Sequence, residues 1–328
     1  MTTIGLLGAG RIGALHGRNI AGSAKARLTA IADAVPAPAE ALGRELGVPV
    51  RSVDEILADR SIQAVVICSS TDTHAELIEA AARAGKAVFC EKPVDLSSER
   101  IKGCLDVVDA AGIPLMIGFN RRFDPHFATL QARLAEGEIG DVELVTILSR
   151  DPAPPPIAYI ARSGGLFRDM MIHDFDMARF LLGEEPVEVH AVGSALVDAA
   201  IGTAGDVDTA AVLLKTASGK ICQISNSRRA TYGYDQRVEV HGSKGMLRAQ
   251  NMHESTVERA DAEGFRSAPV VNFFLERYLP AYKRELDHFL RCLETGQRPA
   301  PTGHDGLQAQ KLADAATVSA QTGQPQKV

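Results

Sequence analysis

The chain has no tryptophan, so no indole can serve as a stacking platform for a ring-shaped ligand. Nowhere do 18 uncharged apolar residues follow one another, which excludes a membrane-spanning helix on length. Met1 runs straight into a strand-like segment without a charged n-region or a long apolar core, so no secretory leader is expected. Cysteine is sparse: Cys68, Cys90, Cys104, Cys222 and Cys292 are odd in number, widely spaced and free of any C-x-x-C pair. That pattern argues against a disulfide framework and a cysteine-based metal site; several of the five sit in apolar runs as small core residues. No metal is expected, and the expected compartment is the reducing cytoplasm. Positive charge is also short, with 35 Lys and Arg against 41 Asp and Glu for a net −6. This supplies no basic field for nucleic acid and no polybasic membrane signal, which leaves small molecules as the expected partners. There is no internal repeat and no low-complexity tract.

At 328 residues, 45% of them hydrophobic, the chain can fill two cores, and two domains are expected. The first begins with the apolar run Ile4–Leu7, which ends in Gly8-Ala9-Gly10-Arg11-Ile12-Gly13 ahead of a helical segment. In G-x-G-x-x-G the first glycine permits a tight turn, the second lets backbone approach a pyrophosphate, and the third lets helix and strand pack closely. A second strand, Leu28–Ala32, ends in Asp33, 20 residues after Gly13, where a carboxylate meets ribose hydroxyls. That carboxylate repels a 2′-phosphate, and Ala34, Val35 and Pro36 offer no cation to hold one, so NAD is favoured over NADP.

The alternation of strands and helices continues. Ala64–Cys68 reads as a central parallel strand delivering Ser69, Ser70, Thr71 and His74 to the crevice edge, where the same residues also suit the capping of a following helix. Ala87–Cys90 delivers Glu91-Lys92-Pro93, and Pro93 keeps Lys92 extended at the strand end. Ile113–Phe119 delivers Asn120-Arg121-Arg122. After Asp124 strand-like runs follow one another through hairpin turns: Val142–Ser149, Val187–Leu196, Thr209–Thr216, Lys220–Asn226, Gln236–His241, Gly245–Ala249 and Ser255–Arg259. The fold expected is an α/β dinucleotide-binding domain of Rossmann type over 1–122, then an α+β domain over 123–328 with a large, mostly antiparallel open sheet. Helices are expected at Phe273–Tyr278, Ala281–Glu294 and His304–Ala320, and these C-terminal helices are candidates to pack back on the first domain.

One helix is expected between the first two strands of that sheet. Along it Met171, Phe175, Ala178 and Leu182 recur as a buried stripe, while Asp169 and His173, four residues apart, share another face with Asp176. A carboxylate–imidazole pair at this spacing serves structure as readily as proton transfer. The rigid Asp151-Pro152-Ala153-Pro154-Pro155-Pro156 loop precedes it.

Four motifs in order, Gly8–Gly13, Cys90-Glu91-Lys92-Pro93, Gly118–Asp124 and Gly164-Gly165 with Asp169 and His173, resemble the glucose–fructose oxidoreductase/inositol dehydrogenase (Gfo/Idh/MocA) family over essentially the whole length. Ser163-Gly164-Gly165, the Asp-Pro loop and Tyr232-Gly233-Tyr234-Asp235 look similar to its inositol 2-dehydrogenase branch. Family members commonly carry Thr-Pro where this chain has Ser69-Ser70. The resemblance implies a catalytic group of Lys92, Asp169 and His173. It implies NAD held by Gly8–Gly13, Asp33, Ser69, Ser70, Thr71, His74, Glu91, Lys92 and Asn120. Substrate contacts are expected from Lys92, Asn120, Arg122, Asp151, Asp169, His173 and Tyr232. The implied reaction is oxidation of a secondary ring hydroxyl of a polyol, myo-inositol foremost, in a homotetramer. Another inositol isomer or an aldose is the alternative substrate, and a non-catalytic NAD-bound sensor is the alternative class, although a sensor need not keep the whole catalytic group.

Overall fold

The computed structural model describes Met1–Val328 and divides into two compact units, Met1–Asn120 with Tyr282–Gln310, and Arg121–Ala281 with Lys311–Val328. The sequence reading put the boundary at 122 and gave 123–328 to the second domain, with the C-terminal helices as candidates to pack back on the first. The structure moves the boundary to 120 and assigns a C-terminal stretch to the first unit, because Phe289 packs edge-on against Phe89 of that unit's sheet at 5.9 Å.

In the first unit β1 (Thr2–Leu7), α1 (Arg11–Ala21), β2 (Ala26–Ala32), α2 (Pro36–Leu46), α3 (Val53–Ala58), β3 (Ala64–Ile67), α4 (His74–Arg83), β4 (Ala87–Glu91), α5 (Ser98–Ala111) and β5 (Leu115–Gly118) follow in order. The sheet runs β2-β1-β3-β4-β5 and every neighbouring pair is parallel. Ala64–Ile67 and Val88–Cys90 are wholly buried, which is why both read as unbroken apolar runs. Strand order reverses between β1 and β3, so the crevice of an open parallel sheet lies at the carboxyl ends of those strands.

The second unit holds α6 (Pro125–Ala135), β6 (Val142–Arg150), α7 (Ile157–Ser163), α8 (Ile172–Leu182), β7 (Pro186–Ser194), α9 (Ala199–Thr203), β8 (Thr209–Thr216), β9 (Ile221–Ser227), β10 (Asp235–Gly242), β11 (Gly245–Ala249), β12 (Glu258–Asp261) and β13 (Gly264–Ser267). Then come α10 (Phe274–Thr295), α11 (Gly303–Thr322) and β14 (Gln326–Lys327), the two helices each contributing to both units. The seven-stranded sheet runs β11-β10-β6-β9-β8-β7-β14, with β6–β9 parallel and all other neighbours antiparallel. Along β8, Ala210, Val212, Leu214 and Thr216 are buried while Ala211, Leu213 and Lys215 are exposed, the period-2 pattern of a sheet covered on one face. Helix α8 packs on β6 and β9. No helix is long and apolar enough to cross a membrane.

Three expectations change. Helix α6 replaces what read as strand-rich chain after Asp124; the Asp-Pro pair starts it, with Asp124 Oδ1 accepting from the His126 and Phe127 amides at 3.0 and 3.1 Å and Pro125 in the first turn. Pro280 does not divide two helices: α10 is continuous, and the unit boundary falls one residue beyond that proline. Of the run expected at Ser255–Arg259 only Glu258 and Arg259 are in a strand, β12, which pairs with β13 in an exposed hairpin rather than joining the large sheet.

Candidate active site

In the first unit the glycine turn is built by steric necessity. Gly8 has φ +100°, and a Cβ there would lie 2.5 Å from the Cys68 backbone; one at Gly13 would lie 2.0 Å from the Gly8 carbonyl oxygen. A Cβ at Gly10 would meet nothing within 4 Å, and Gly10 caps α1 with no side chain competing for the first amides. Open space above uncapped helix amides suits a pyrophosphate, so these residues fit the dinucleotide that the motif implies. Ala9 is buried, Ile12 half-buried and Arg11 exposed.

Asp33 follows β2 as expected, yet its carboxylate is already anchored. Oδ2 accepts from the Ala9 amide at 2.6 Å and Oδ1 from the Val35 amide at 2.8 Å. Lone pairs remain on both oxygens for hydroxyl donors, so one residue closes the glycine turn and still presents acceptors.

Ser69, Ser70 and Thr71 form the loop after β3, with the Ser69 and Thr73 hydroxyls 2.7 Å apart. His74 departs from its expected role as a cofactor contact. It is buried, with Nδ1 2.7 Å from the Pro93 carbonyl and Nε2 3.1 Å from the Ser69 carbonyl. Burial holds its pKa below the ordinary imidazole range, and the two carbonyls oppose that shift. The ring, which as a neutral imidazole donates to only one of the two carbonyls, sits between the Ser69 loop and the segment after Lys92. Lys92 itself is half-buried at the end of β4, ahead of a cis peptide to Pro93. The Glu91 carboxylate turns away to His16, with Oε1 2.7 Å from Nε2. Asn120 is buried at the last position of this unit's N-terminal segment.

In the second unit Asp169 and His173 do not lie on one regular α-helix. Leu166–Met170 forms a single π turn, Met171 is the junction, and α8 starts at Ile172, so Asp169 precedes the helix and His173 occupies its first turn. Asp174, not Asp169, is the acidic residue in that first turn. The stripe Met171, Phe175, Ala178 and Leu182 is buried as expected, but Asp174, Asp176, Met177 and Arg179 are buried too, so α8 is enclosed nearly all round. Against that background Asp169 and His173 remain half-buried, as side chains that meet a ligand must.

The Tyr159 hydroxyl donates to Asp169 Oδ1 at 3.0 Å. Partial burial of the Tyr159 hydroxyl, in a residue 46% exposed overall, and then the Asp169 charge raise the phenol above its ordinary range, which keeps it a donor. Asp151 is raised to about 6 by burial, against the lowering pull of Arg228 and Arg121 and with Asp169 and Asp174 adding to the rise. Neither Tyr159 nor Arg228 stood out in the sequence. Arg228 is 1% exposed, with Nη2 3.7 Å from Asp206. Its only sequence signal is the Ser-Arg-Arg run at the end of β9, a counterpart of Asn-Arg-Arg after β5.

Two expected substrate contacts are otherwise engaged. Arg122 is bidentate to Asp176, with bonds of 2.8 and 2.6 Å, and stacks over Phe180 at 4.9 Å. The Tyr232 hydroxyl donates to Asp235 at 2.6 Å and accepts from Arg150 at 3.0 Å. Tyr232 lines a cavity of about 300 Å³ with Arg150, Thr209, Ser225 and Ser227, whose walls include none of Asp151, Asp169 and His173. Beneath α8, Asp174 is wholly buried, paired with Arg121 and accepting from Asn226 Nδ2 at 2.9 Å; Arg121 also donates to Ser149.

Comparison with known proteins agrees with both units. Residues 2–119 match the oxidoreductase family with an NAD-binding Rossmann fold, and residues 127–248 match the GFO/IDH/MocA C-terminal domain. The inositol 2-dehydrogenase of Rhizobium meliloti (strain 1021) is 58% identical over 315 residues, 96% of each chain. The myo-inositol 2-dehydrogenase of Thermotoga maritima is 48% identical over 318 residues, 96% of this chain and 95% of that one. Among crystal structures, the scyllo-inositol dehydrogenase of Lactobacillus casei with bound NAD(H) and scyllo-inositol has a TM-score of 0.92 at 33% identity, over 100% of this chain and 99% of that one.

Proposed function

Because the chain belongs to the Gfo/Idh/MocA oxidoreductase family, we propose that it oxidises a secondary ring hydroxyl of a polyol, myo-inositol to its 2-ketone, with NAD as oxidant. The observation that carries this reading is identity of 58% to an inositol 2-dehydrogenase across nearly the full length of both chains. Bound NAD supplies the two-electron acceptor, held by the Gly8–Gly13 turn, Asp33 and the Ser69–Thr71 loop.

An alcohol cannot give up hydride unless its hydroxyl proton also leaves. His173 takes that proton as general base, since an imidazole titrates near working pH. Asp169 orients the ring and stabilises the imidazolium, and Tyr159 fixes Asp169 by its hydrogen bond. Lys92 donates to the same oxygen and stabilises the alkoxide character that develops. Asp151 and Asn120 supply fixed hydrogen-bonding groups to the remaining hydroxyls. With no tryptophan in the chain, directed hydrogen bonds carry ring recognition.

The exposed apolar residues of the large sheet bear on assembly. Val192, Leu213, Ile221 and Met246 are 57, 51, 43 and 41% exposed, and we assign this surface to contact between copies in a cytoplasmic homotetramer. A spectrophotometric screen of NAD reduction against myo-, scyllo- and chiro-inositol and free aldoses tests the substrate. The expected result is fastest NADH formation with myo-inositol; fastest turnover with scyllo-inositol would move the assignment toward the Lactobacillus casei relative, and no turnover with any inositol would overturn it.

A further inference from the structure

Next to Lys92 a second group of titratable side chains is closed off from water. His16 on α1 and Glu285 on α10 have 0% exposed side chains, and that of Glu91, the last residue of β4, is 12% exposed. His16 Nε2 is 2.7 Å from Glu91 Oε1 and 3.8 Å from Glu285 Oε1, and the three groups approach one another within 4.8 Å. The walls are apolar: the His16 ring lies 5.1 Å from Phe89 and 5.7 Å from Tyr282, and Phe89 in turn packs on Phe289. Neither carboxyl oxygen of Glu285 has a hydrogen-bond partner. A second carboxylate in this enclosure would be desolvated, unpartnered and close to a like charge, the three conditions that together favour the protonated form.

We propose that Glu285 is held as a neutral carboxylic acid beside Glu91, and that these two acids with His16 are the positioning group for Lys92. Geometry carries the second part. Glu91 immediately precedes Lys92, and its carboxyl lies against Gly118, where a Cβ would come within 3.1 Å. Gly118 ends β5 two residues before Asn120, and His16 belongs to the helix that opens at the glycine turn. The cluster therefore pins α1, β4, β5 and α10 to one another at the end of the strand that presents Lys92. The groups facing Glu285 are His16 from α1, Glu91 from β4 and the Cys68 thiol after β3. Burial, then the charge of Glu91, pushes Glu285 well above the ordinary carboxylate range, and burial with these two acids pushes Cys68 up as well. The positioning role rests on the reading of Lys92 given above; the protonation state does not.

Infrared difference spectra of the whole protein at pH 7 should show a protonated-carboxyl C=O band that is absent from Glu285→Gln. Glu285→Leu, which fills the space but carries no polar group, should lower kcat on the polyol about 10- to 100-fold with NAD affinity unchanged, and Glu285→Gln should restore it. Thermal melts supply a readout independent of activity. Folded wild type keeps a proton that the unfolded chain releases, so its melting temperature should fall relative to Glu285→Gln between pH 5 and pH 8. Absence of the band, parallel melting curves, failure of Gln to restore kcat, or a stoichiometric divalent metal in the purified protein would each overturn the proposal. Lack of NAD-dependent polyol oxidation by wild type, with band and melts as expected, would instead sink the reading of Lys92 and leave the neutral acid standing.

Discussion

The two units hold their candidate functional groups by different means. In the first, backbone does most of the holding: Gly8 and Gly13 are where side chains cannot fit, Asp33 grips the Ala9 and Val35 amides, and His74 sits between the Pro93 and Ser69 carbonyls. In the second, side chains hold side chains across long stretches of sequence. Arg121 pairs with Asp174 and Arg122 with Asp176, 53 and 54 residues apart, and Asn226 reaches Asp174 across 52. A backbone-held turn is sensitive to added atoms, whereas a buried ion pair is sensitive to lost ones.

That contrast predicts the order of mutational effects. Removing the Asp174 carboxylate by Asp174→Ala leaves Arg121 buried without its charge partner, and should cost about 3–5 kcal/mol in urea unfolding; a loss under about 1 kcal/mol would show that the pair is not buried as described. His173→Ala should lower kcat at least about 100-fold while leaving NAD affinity nearly unchanged, since it removes the proposed base and no group assigned to the dinucleotide. Near wild-type kcat in that variant would dismiss His173 as the base. Gly13→Ala adds one carbon 2.0 Å from the Gly8 oxygen and should weaken NAD at least about tenfold in a fluorescence titration, about 1.4 kcal/mol. Unchanged affinity would mean that the turn can relax, and would blur the distinction between the units.

The smallest effect concerns Asp151. Its folded carboxyl titrates at about 6, while an unperturbed aspartate titrates near about 4. Between those values the folded chain retains a proton that the unfolded chain has released, so wild-type stability should fall as pH rises through that window and level off above it. Asp151→Asn should remove that slope, by no more than about 1 kcal/mol after solvent screening of a half-buried group. Parallel stability curves for the two proteins would show that Asp151 is solvated like an ordinary surface acid.

Much of the first unit was legible because its signals are local. A strand, a glycine turn, a helix and an acid after the next strand lie within one short segment, and each glycine has a steric reason to be there. The second unit was legible in its strands but less so in its side chains. Arg122 read as a substrate contact because double arginines after a strand end look available, and only the fold supplies Asp176 to claim it. Tyr232 belonged to a motif that pointed to substrate, and pairing of β10 with β6 instead sets its hydroxyl between Arg150 and Asp235. Tyr159 and Arg228 carried almost no sequence signal, because neither periodicity nor spacing marks a lone polar residue whose partner lies elsewhere in the chain.

The sequence by itself determined the alternating strands and helices of the first unit, the parallel and mostly antiparallel character of the two sheets, and the acid after the second strand that favours NAD. These follow from periodicity, steric exclusion at glycine and the charge of single residues. Tertiary structure alone decided which polar groups are spent on one another and which stay open: the π turn that separates Asp169 from α8, the bonds that occupy Arg122, Tyr232 and His74, and the enclosure of Glu285 beside Glu91. A hydrogen bond or an ion pair is a property of a pair, and a pair exists only once folding has brought its members together.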